Sequence, residues 1–299
     1  MGFFAGMVLA SSVQGQVFLT NGLVAYYPLN GNADDVSGNG NNGTTNDVNY
    51  VTNQFDVPNG AIQFNGGSSA VTVQPSASLN LTPSFTLSGW LYSINLNPSR
   101  AGLIAKGGAS SSVTQWMARW GGNGTFSLWI GNGSQYSEFL SKSIYSEGTW
   151  EAFAMSFNVT NGTINLYVNG NLDTNYTTTL TSFSSPSSVL MLGNQVSFNG
   201  NQLIGCLDNV RIYNRALSTN EVQAVYQFES GEAQLVSASP ALQLNTTNLA
   251  VGGSYQIQTS SDLINWTNYG TPFKATATNA TQYVGMTGSQ GFYRIEPSP

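Results

Sequence analysis

Short runs of alternating apolar and polar residues recur along most of the chain, separated by turn-forming Gly and Asn residues. Successive side chains of a strand point to opposite faces, so this alternation predicts half-buried β-strands. Clear runs lie at 85–92, 150–157 and 163–168, and the Asn-Gly pair at 169–170 predicts a hairpin turn. Many short strands at this spacing, with almost no helix, predict an all-β antiparallel sandwich or barrel.

The run at 203–228, LIGCLDNVRIYNRALSTNEVQAVYQF, begins with a strand. Its predicted core face consists of Ile204, Cys206, Asp208, Val210 and Ile212. Four of these five residues are apolar, which favours that face as the buried one and places Arg211 on the other. Asp208 is then predicted to be buried, where a carboxylate needs a cation, several hydrogen-bond donors or a proton.

The second half of the same run predicts a short helix. Ser218 and Glu221 have the spacing of a capping box, and Leu217 and Val222 have that of a hydrophobic staple. Gly231 can end the helix. A strand with one inward-facing acid therefore leads directly into a capped helix.

The chain divides by character into four segments. Residues 1–15 have an apolar stretch and small residues before Gln16, which predicts a secretory signal. We expect a sandwich domain at 16–230, a small polar linker at 231–240 and a small β module at 241–299. No run reaches the roughly 18 apolar residues of a membrane helix, so we expect a secreted, extracellular or cell-surface protein without a membrane span.

Composition removes several classes of function. Charged residues make up 7% of the chain and the net charge is −6, with only 8 basic residues. Nucleic-acid binding depends on clustered Lys and Arg, so no nucleic-acid partner is expected. The chain has no histidine, which excludes Ser–His–Asp and Cys–His catalysis. The single cysteine, Cys206, is predicted to be a small buried residue.

Two motifs carry a family resemblance. The strand and helix at 205–221 match G-x-[IL]-D-x-V-R-[IV]-Y-N-R-A-L-S-x-x-E, and residues 35–43 match D-x-S-G-N-G-x-x-G. Together they resemble the laminin G-like, concanavalin A-like jelly-roll domain of secreted bacterial proteins, over about residues 22–228. The resemblance implies an antiparallel jelly-roll β-sandwich and says little about function. The C-terminal residues resemble a short β module at the ends of large exported bacterial proteins, with Trp266 in its core.

The loop at 34–42 is rich in carboxylate and amide oxygens, which are ligands of Ca²⁺. The resemblance implies that the first and last strands lie close together, which brings Asp208 beside this loop. We therefore predict a calcium site with Asp35, Asn39 and Asp208. The alternative is that Asp35 caps a turn and Asp208 accepts N–H groups of the loop. Asn65 and Asn169 stand where the family pattern has acids, which weakens any metal site that uses those positions.

Glycans are bound by aromatic faces together with short polar side chains. The candidate ligand-binding residues are Trp116, Trp120 and Trp129, and core packing is the alternative for each of them. Glycosidases of the resembled fold place paired carboxylates on one strand, and no strand here carries such a pair. We expect a non-catalytic module that recognises a glycan, an extracellular matrix or a cell-surface polymer. Two alternatives remain: a self-associating structural or adhesive protein, and a glycoside hydrolase.

Overall fold

The computed structural model describes the chain in twelve stretches, and the predicted signal at 1–15 and linker at 231–240 lie outside them. The described residues are 17–81, 84–94, 101–107, 114–121, 123–132, 134, 136–180, 188–195, 202–230, 241–260, 263–285 and 292–298. The chain folds into one compact unit, Gln16–Leu235, and a second that includes Val236–Pro299.

The first unit contains two antiparallel sheets. Its strands are β1 (Leu23–Tyr27), β2 (Gly43–Asn46), β3 (Val48–Val51), β4 (Ala61–Asn65), β5 (Ala70–Val73), β6 (Phe85–Ser93), β7 (Ala101–Gly107), β8 (Thr114–Trp120), β9 (Phe126–Gly131), β10 (Tyr136–Leu140), β11 (Trp150–Asn158), β12 (Thr163–Val168), β13 (Asn171–Thr177), β14 (Leu190–Leu192) and β15 (Ile204–Tyr213). The eight-stranded sheet has the order β13-β12-β11-β6-β15-β4-β3, with β1 also paired to β15. The seven-stranded sheet has the order β10-β9-β8-β7-β14-β5-β2. The predicted all-β jelly-roll sandwich is confirmed.

The inner faces of the two sheets form one hydrophobic core. Phe85 of the eight-stranded sheet lies 5.9 Å from Trp116 of the seven-stranded sheet, and Phe126 lies 5.3 Å from Phe153 between the same sheets (ring centroids). Each sheet therefore has one face in the core and one outer face. Only the outer faces and the connecting loops can meet a large ligand.

Strand β15 contains a β-bulge that reverses its alternation. The register with β6 shifts between Asp208 and Arg211, and Asn209 has a left-handed φ of 51°. The β15 residues that join the core are Leu207, Val210 and Ile212. Because the bulge inserts one residue, Asp208 and Arg211 both lie on the outer face. The prediction that Cys206 and Asp208 face the core is therefore wrong, and so is the expectation that Arg211 points away from Asp208. Arg211 does lie on the face opposite to the core, as predicted.

Helix α2 (Thr219–Glu229) covers part of that outer face; a one-turn helix, α1 (Val17–Thr20), precedes β1. The predicted capping box is present, because the Ser218 hydroxyl accepts from the Glu221 backbone N–H and the Glu221 carboxylate accepts from the Ser218 backbone N–H. The buried residues of this layer are Leu19, Ala154, Tyr167, Tyr213, Leu217, Val222 and Val225. Within the described residues, no helix has the length and apolar character needed to span a membrane.

The second unit consists of small antiparallel sheets. Its described strands are β16 (Ala241–Thr247), β17 (Ser254–Ser260), β18 (Thr267–Lys274), β19 (Asn279–Gly285) and β20 (Phe292–Pro297). Strand β16 pairs with β19, and β17 lies between β18 and β20. Trp266 is only half-buried, and the Arg294 guanidinium lies 4.3 Å from its ring centre. The expectation that Trp266 lies in the core of this module is therefore wrong.

Candidate functional site

The Asp35 carboxylate organises the loop between β1 and β2. Its Oδ1 accepts hydrogen bonds from the backbone N–H groups of Tyr26 (3.0 Å) and Ser37 (2.9 Å). Its Oδ2 accepts one from the backbone N–H of Asn41 (2.9 Å). Three amide donors therefore stabilise the charge of Asp35 without a cation, which is the turn-capping alternative of the sequence analysis.

Asn39 has a similar structural role. Its Nδ2 donates to the backbone carbonyl oxygens of Leu23 (3.1 Å) and Val24 (3.0 Å), which ties the loop to β1. A calcium ion needs oxygen ligands directed at it, whereas N–H donors surround Asp35. Within the described residues there is also no cluster of three or more His, Cys, Asp or Glu side chains that could hold a metal. These contacts do not fit a calcium site that combines Asp35 and Asn39.

Asp208 has a different set of partners, which includes the loop between β3 and β4. It is completely buried, and the Asn53 Nδ2 donates to its Oδ2 over a long 3.4 Å. Its Oδ1 has no well-formed hydrogen bond within the described part of the chain. Burial, reinforced by the nearby Glu229 carboxylate, raises the pKa of Asp208 to about 7. A buried carboxylate needs a cation, several hydrogen-bond donors or a proton, and for Asp208 the structure favours the proton.

Arg211 does not neutralise Asp208, because it pairs with Glu229 of helix α2. The Arg211 Nε lies 2.6 Å from the Glu229 Oε1, and the Trp90 Nε1 donates to the Glu229 Oε2 at 2.9 Å. The Arg211 guanidinium also lies 3.6 Å from the ring centre of Tyr26. Glu229 was missed by the sequence analysis, although an acid near the end of a helix that must cover a strand with one arginine is a usable signal. This buried cluster is structural.

Trp116 and Trp120 lie on the inner face of the seven-stranded sheet. Their exposed fractions are 0% and 1%, and Trp120 contacts Phe126 edge-on with ring centroids 5.0 Å apart. A ring without an accessible face cannot stack on a sugar, so their proposed role in ligand binding is corrected to core packing. The sequence placed both residues on one face of β8, which is right, but did not show that this face is the inner one.

Trp129 lies on the outer face of the same sheet, as part of a small aromatic and charged cluster. The Arg119 guanidinium lies 4.4 Å from the Trp129 ring centre, and the Tyr136 ring meets Trp129 edge-on with centroids 4.6 Å apart. The Glu138 Oε1 lies 4.0 Å from the Arg119 Nη1 and accepts from the Ser127 hydroxyl at 2.9 Å. We call Arg119, Trp129, Tyr136 and Glu138 the Trp129 face.

Strand register assembles the Trp129 face. Trp129 of β9 is paired with Met117 of β8 and with Glu138 of β10, so their side chains stand in one row across the sheet. Trp129 itself is 6% exposed, whereas Tyr136 at the edge strand is 57% exposed. The accessible part of the face is therefore Tyr136 and the edge of Glu138. Sequence reasoning found Trp129 but missed Tyr136, although the alternation of the β9–β10 hairpin was available as a signal.

Comparison with known proteins identifies the family and the fold. Residues 65–223 match the family model described as "Concanavalin A-like lectin/glucanases superfamily". No curated protein sequence matches the chain. One similar solved structure is the binding domain of Paraclostridial Mosquitocidal Protein 1, with a TM-score of 0.59, 18% identity, and coverage of 84% of this chain and 64% of that one.

Two further structures share the fold. Domain 4 of AbnA, a GH43 extracellular arabinanase from Geobacillus stearothermophilus in complex with arabinotriose, has a TM-score of 0.55 and 22% identity, covering 69% of this chain and 98% of that one. The binding domain of botulinum neurotoxin serotype G has a TM-score of 0.56 and 17% identity, covering 79% of this chain and 56% of that one. The chain thus spans less than two thirds of both toxin binding domains. At these identities the likeness establishes the fold alone.

Proposed function

The chain belongs to the concanavalin A-like lectin/glucanases superfamily, and from this membership we propose that it is an exported, non-catalytic protein that binds glycans through the Trp129 face. The observation that carries the proposal is the exposed Tyr136 ring, held edge-on against Trp129 and beside the Arg119–Glu138 pair. An aromatic ring next to a donor and an acceptor is the combination that a sugar requires.

The chemistry of this face suits a glycan. The aromatic face of Tyr136 can cover the C–H groups of a sugar ring, while its hydroxyl remains a donor and acceptor. The Glu138 carboxylate accepts from sugar hydroxyls, and Arg119 holds it in place from within the sheet. The low charged fraction of the chain, 7%, favours a neutral ligand over a strongly charged one.

The similar structures agree with a binding role. Two are named as binding domains of toxins, and the third is a domain of an arabinanase in complex with arabinotriose. Each of these names describes that protein only. They support binding as the general role of this fold, and arabinan as one of several neutral polysaccharides to test.

Three carboxylates of the sites described above support the proposal of a non-catalytic role. A glycosidase needs two accessible carboxyl groups roughly 5–10 Å apart on either side of the bond that it cleaves. Glu138 is engaged with Ser127 and Arg119, Asp208 is completely buried on β15, and Glu229 of helix α2 is buried against Arg211. Of these three, only Glu138 can meet a sugar, so they do not supply the acid and base pair of a glycosidase.

A glycan array with the full chain tests the proposal. We expect signals for neutral glycans that Tyr136→Ala reduces at least tenfold and that Phe55→Ala leaves unchanged. Phe55 is a suitable control because its ring is also exposed, at 45%, but lies in the loop between β3 and β4. Silence across the array with a folded protein, or equal binding by Tyr136→Ala, would refute the assignment. Release of reducing ends from any bound polysaccharide would refute the non-catalytic role.

A second candidate function is structural self-association. Four large apolar side chains among the described residues of the second unit are exposed: Val251 at 64%, Leu263 at 57%, Ile264 at 81% and Phe292 at 44%. Light scattering of the full chain, with Ile264→Ser as the variant, distinguishes this candidate, because assembly without any glycan favours it. Export is tested separately by locating the protein after cell fractionation.

A further inference from the structure

A row of aromatic and polar side chains crosses the outer face of the eight-stranded sheet. Strand register places Trp150 (β11) beside Tyr92 (β6), Tyr92 beside Cys206 (β15), Cys206 beside Gln63 (β4), and Gln63 beside Asn49 (β3). Directly paired residues of antiparallel strands point to the same side of a sheet. These five residues, which we call the Tyr92 row, therefore form one line on the face opposite to the Trp129 face.

The row lies beyond the part of the sheet that helix α2 covers. The adjacent row contains Trp90, on which Tyr226 of the helix stacks with ring centroids 5.6 Å apart. In the Tyr92 row, Asn49 is exposed and Trp150, Tyr92 and Gln63 are half-buried. Five strands at about 4.8 Å spacing make the row roughly 19 Å long. It is a partly exposed strip that is bordered on one side by the helix and has the buried Cys206 at its centre.

The side chains of the row offer rings and unused polar groups. The Tyr92 and Trp150 rings lie 5.6 Å apart at an interplanar angle of 53°. The Tyr92 hydroxyl, the Trp150 indole N–H and the side-chain amides of Gln63 and Asn49 make no hydrogen bond to any residue that the structure describes. An ordinary sheet surface has amides or rings, but here two rings and two free amides follow one another across five strands.

The row carries no charge. The Cys206 thiol is 6% exposed, and burial raises its pKa to about 12, so it stays neutral. The whole chain carries a net charge of −6, which disfavours an anionic ligand. The core of a protein–protein interface is largely apolar, whereas two of the five side chains of this strip are amides. Neutral hydroxyl groups match its hydrogen-bonding capacity.

We propose that the Tyr92 row is a second binding site, which takes a neutral polysaccharide chain lying across the strands of the eight-stranded sheet. The rings of Trp150 and Tyr92 contact sugar faces, and the amides of Gln63 and Asn49 bind hydroxyl groups further along the chain. Two sites on opposite faces of one sandwich would let a single molecule bridge two polysaccharide chains. The proposal is independent of the Trp129 face, because it uses another sheet.

Isothermal titration of the full chain with soluble arabinan, xyloglucan and mixed-linkage β-glucan tests it. All measurements use Tyr136→Ala as the parent, so that the Trp129 face does not contribute. We expect at least one of these polysaccharides to bind the parent, with an affinity about tenfold lower after Gln63→Ala or Trp150→Ala. Gln223→Ala, which removes an exposed amide from helix α2, is the matched control and is expected to bind like the parent.

Folding of each variant is checked by its melting temperature. If Trp150→Ala fails to fold, Gln63→Ala still tests the proposal, because it removes only a half-buried amide. Absence of binding by the folded parent, or equal binding by Gln63→Ala and the parent, would overturn the proposal. So would a dimer of the parent, seen by light scattering without sugar, that Trp150→Ala dissociates. The two sites are tested separately, because every titration uses Tyr136→Ala and therefore reports on the Tyr92 row whatever the array shows for the Trp129 face.

Discussion

Replacing Asp208 by Asn should stabilise the protein at alkaline pH and have little effect at acidic pH. Burial raises the pKa of this carboxyl from 3.8 to about 7 in the folded protein. As the pH rises from about 4 to about 7, the unfolded chain loses this proton while the folded chain retains it. Stability therefore falls across this window and is constant above it. One pKa unit corresponds to about 1.4 kcal/mol, so the buried carboxylate costs about 4 kcal/mol above pH 7.

Asn has nearly the shape of a protonated Asp and carries no charge at any pH, so Asp208→Asn removes this cost. We expect urea unfolding to show a gain of up to about 4 kcal/mol at pH 8 and less than about 1 kcal/mol at pH 4. Asp56→Asn is the control, because Asp56 is exposed and has a φ of 58°, a conformation that Asn also adopts. That control should show no difference between the two pH values.

Two results would refute this reasoning. An equal effect of Asp208→Asn at pH 4 and pH 8 would mean that Asp208 keeps an ordinary pKa in the folded protein. A loss of stability at pH 8 would mean that the carboxylate is charged and favourably paired, and a bound cation beside Asp208 would be the first explanation to test. The experiment thus also decides between the proton and the metal ion as the partner of this acid.

Three further predictions follow from the same contacts. Because backbone N–H groups already satisfy Asp35, we expect EDTA or added calcium to leave the melting temperature unchanged; a rise with calcium that Asp35→Asn abolishes would contradict this. Arg211→Met should cost about 3–5 kcal/mol in urea unfolding, because it leaves Glu229 buried without its cation, and a cost below about 1 kcal/mol would contradict the pairing. Ser218→Ala should cost about 1 kcal/mol in the same assay, because it removes the helix cap, and unchanged stability would show that α2 does not depend on it.

The parts of the fold that depend on local chemistry were predictable from the sequence. The capping box at Ser218 and Glu221 involves residues three positions apart, and the hairpin turn after Val168 depends on two consecutive residues, Asn169 and Gly170. The bulge in β15 was not predictable from periodicity, because a period of two assumes an uninterrupted strand. The sequence Asp208-Asn209 contained a hint, since Asn tolerates the left-handed φ that a bulge requires.

The candidate sites were harder to predict, because they depend on strand order. Alternation correctly grouped Trp116 with Trp120, but only the pairing of whole sheets decides which group faces the core. The Tyr92 row shows the same limit more strongly. Its members come from five strands, and its first and last residues along the chain, Asn49 and Cys206, are 157 positions apart. No local motif joins such residues. What the sequence did predict is the chemistry of the surface: a chain poor in charge and rich in amides and aromatic rings places neutral binding groups wherever register aligns them.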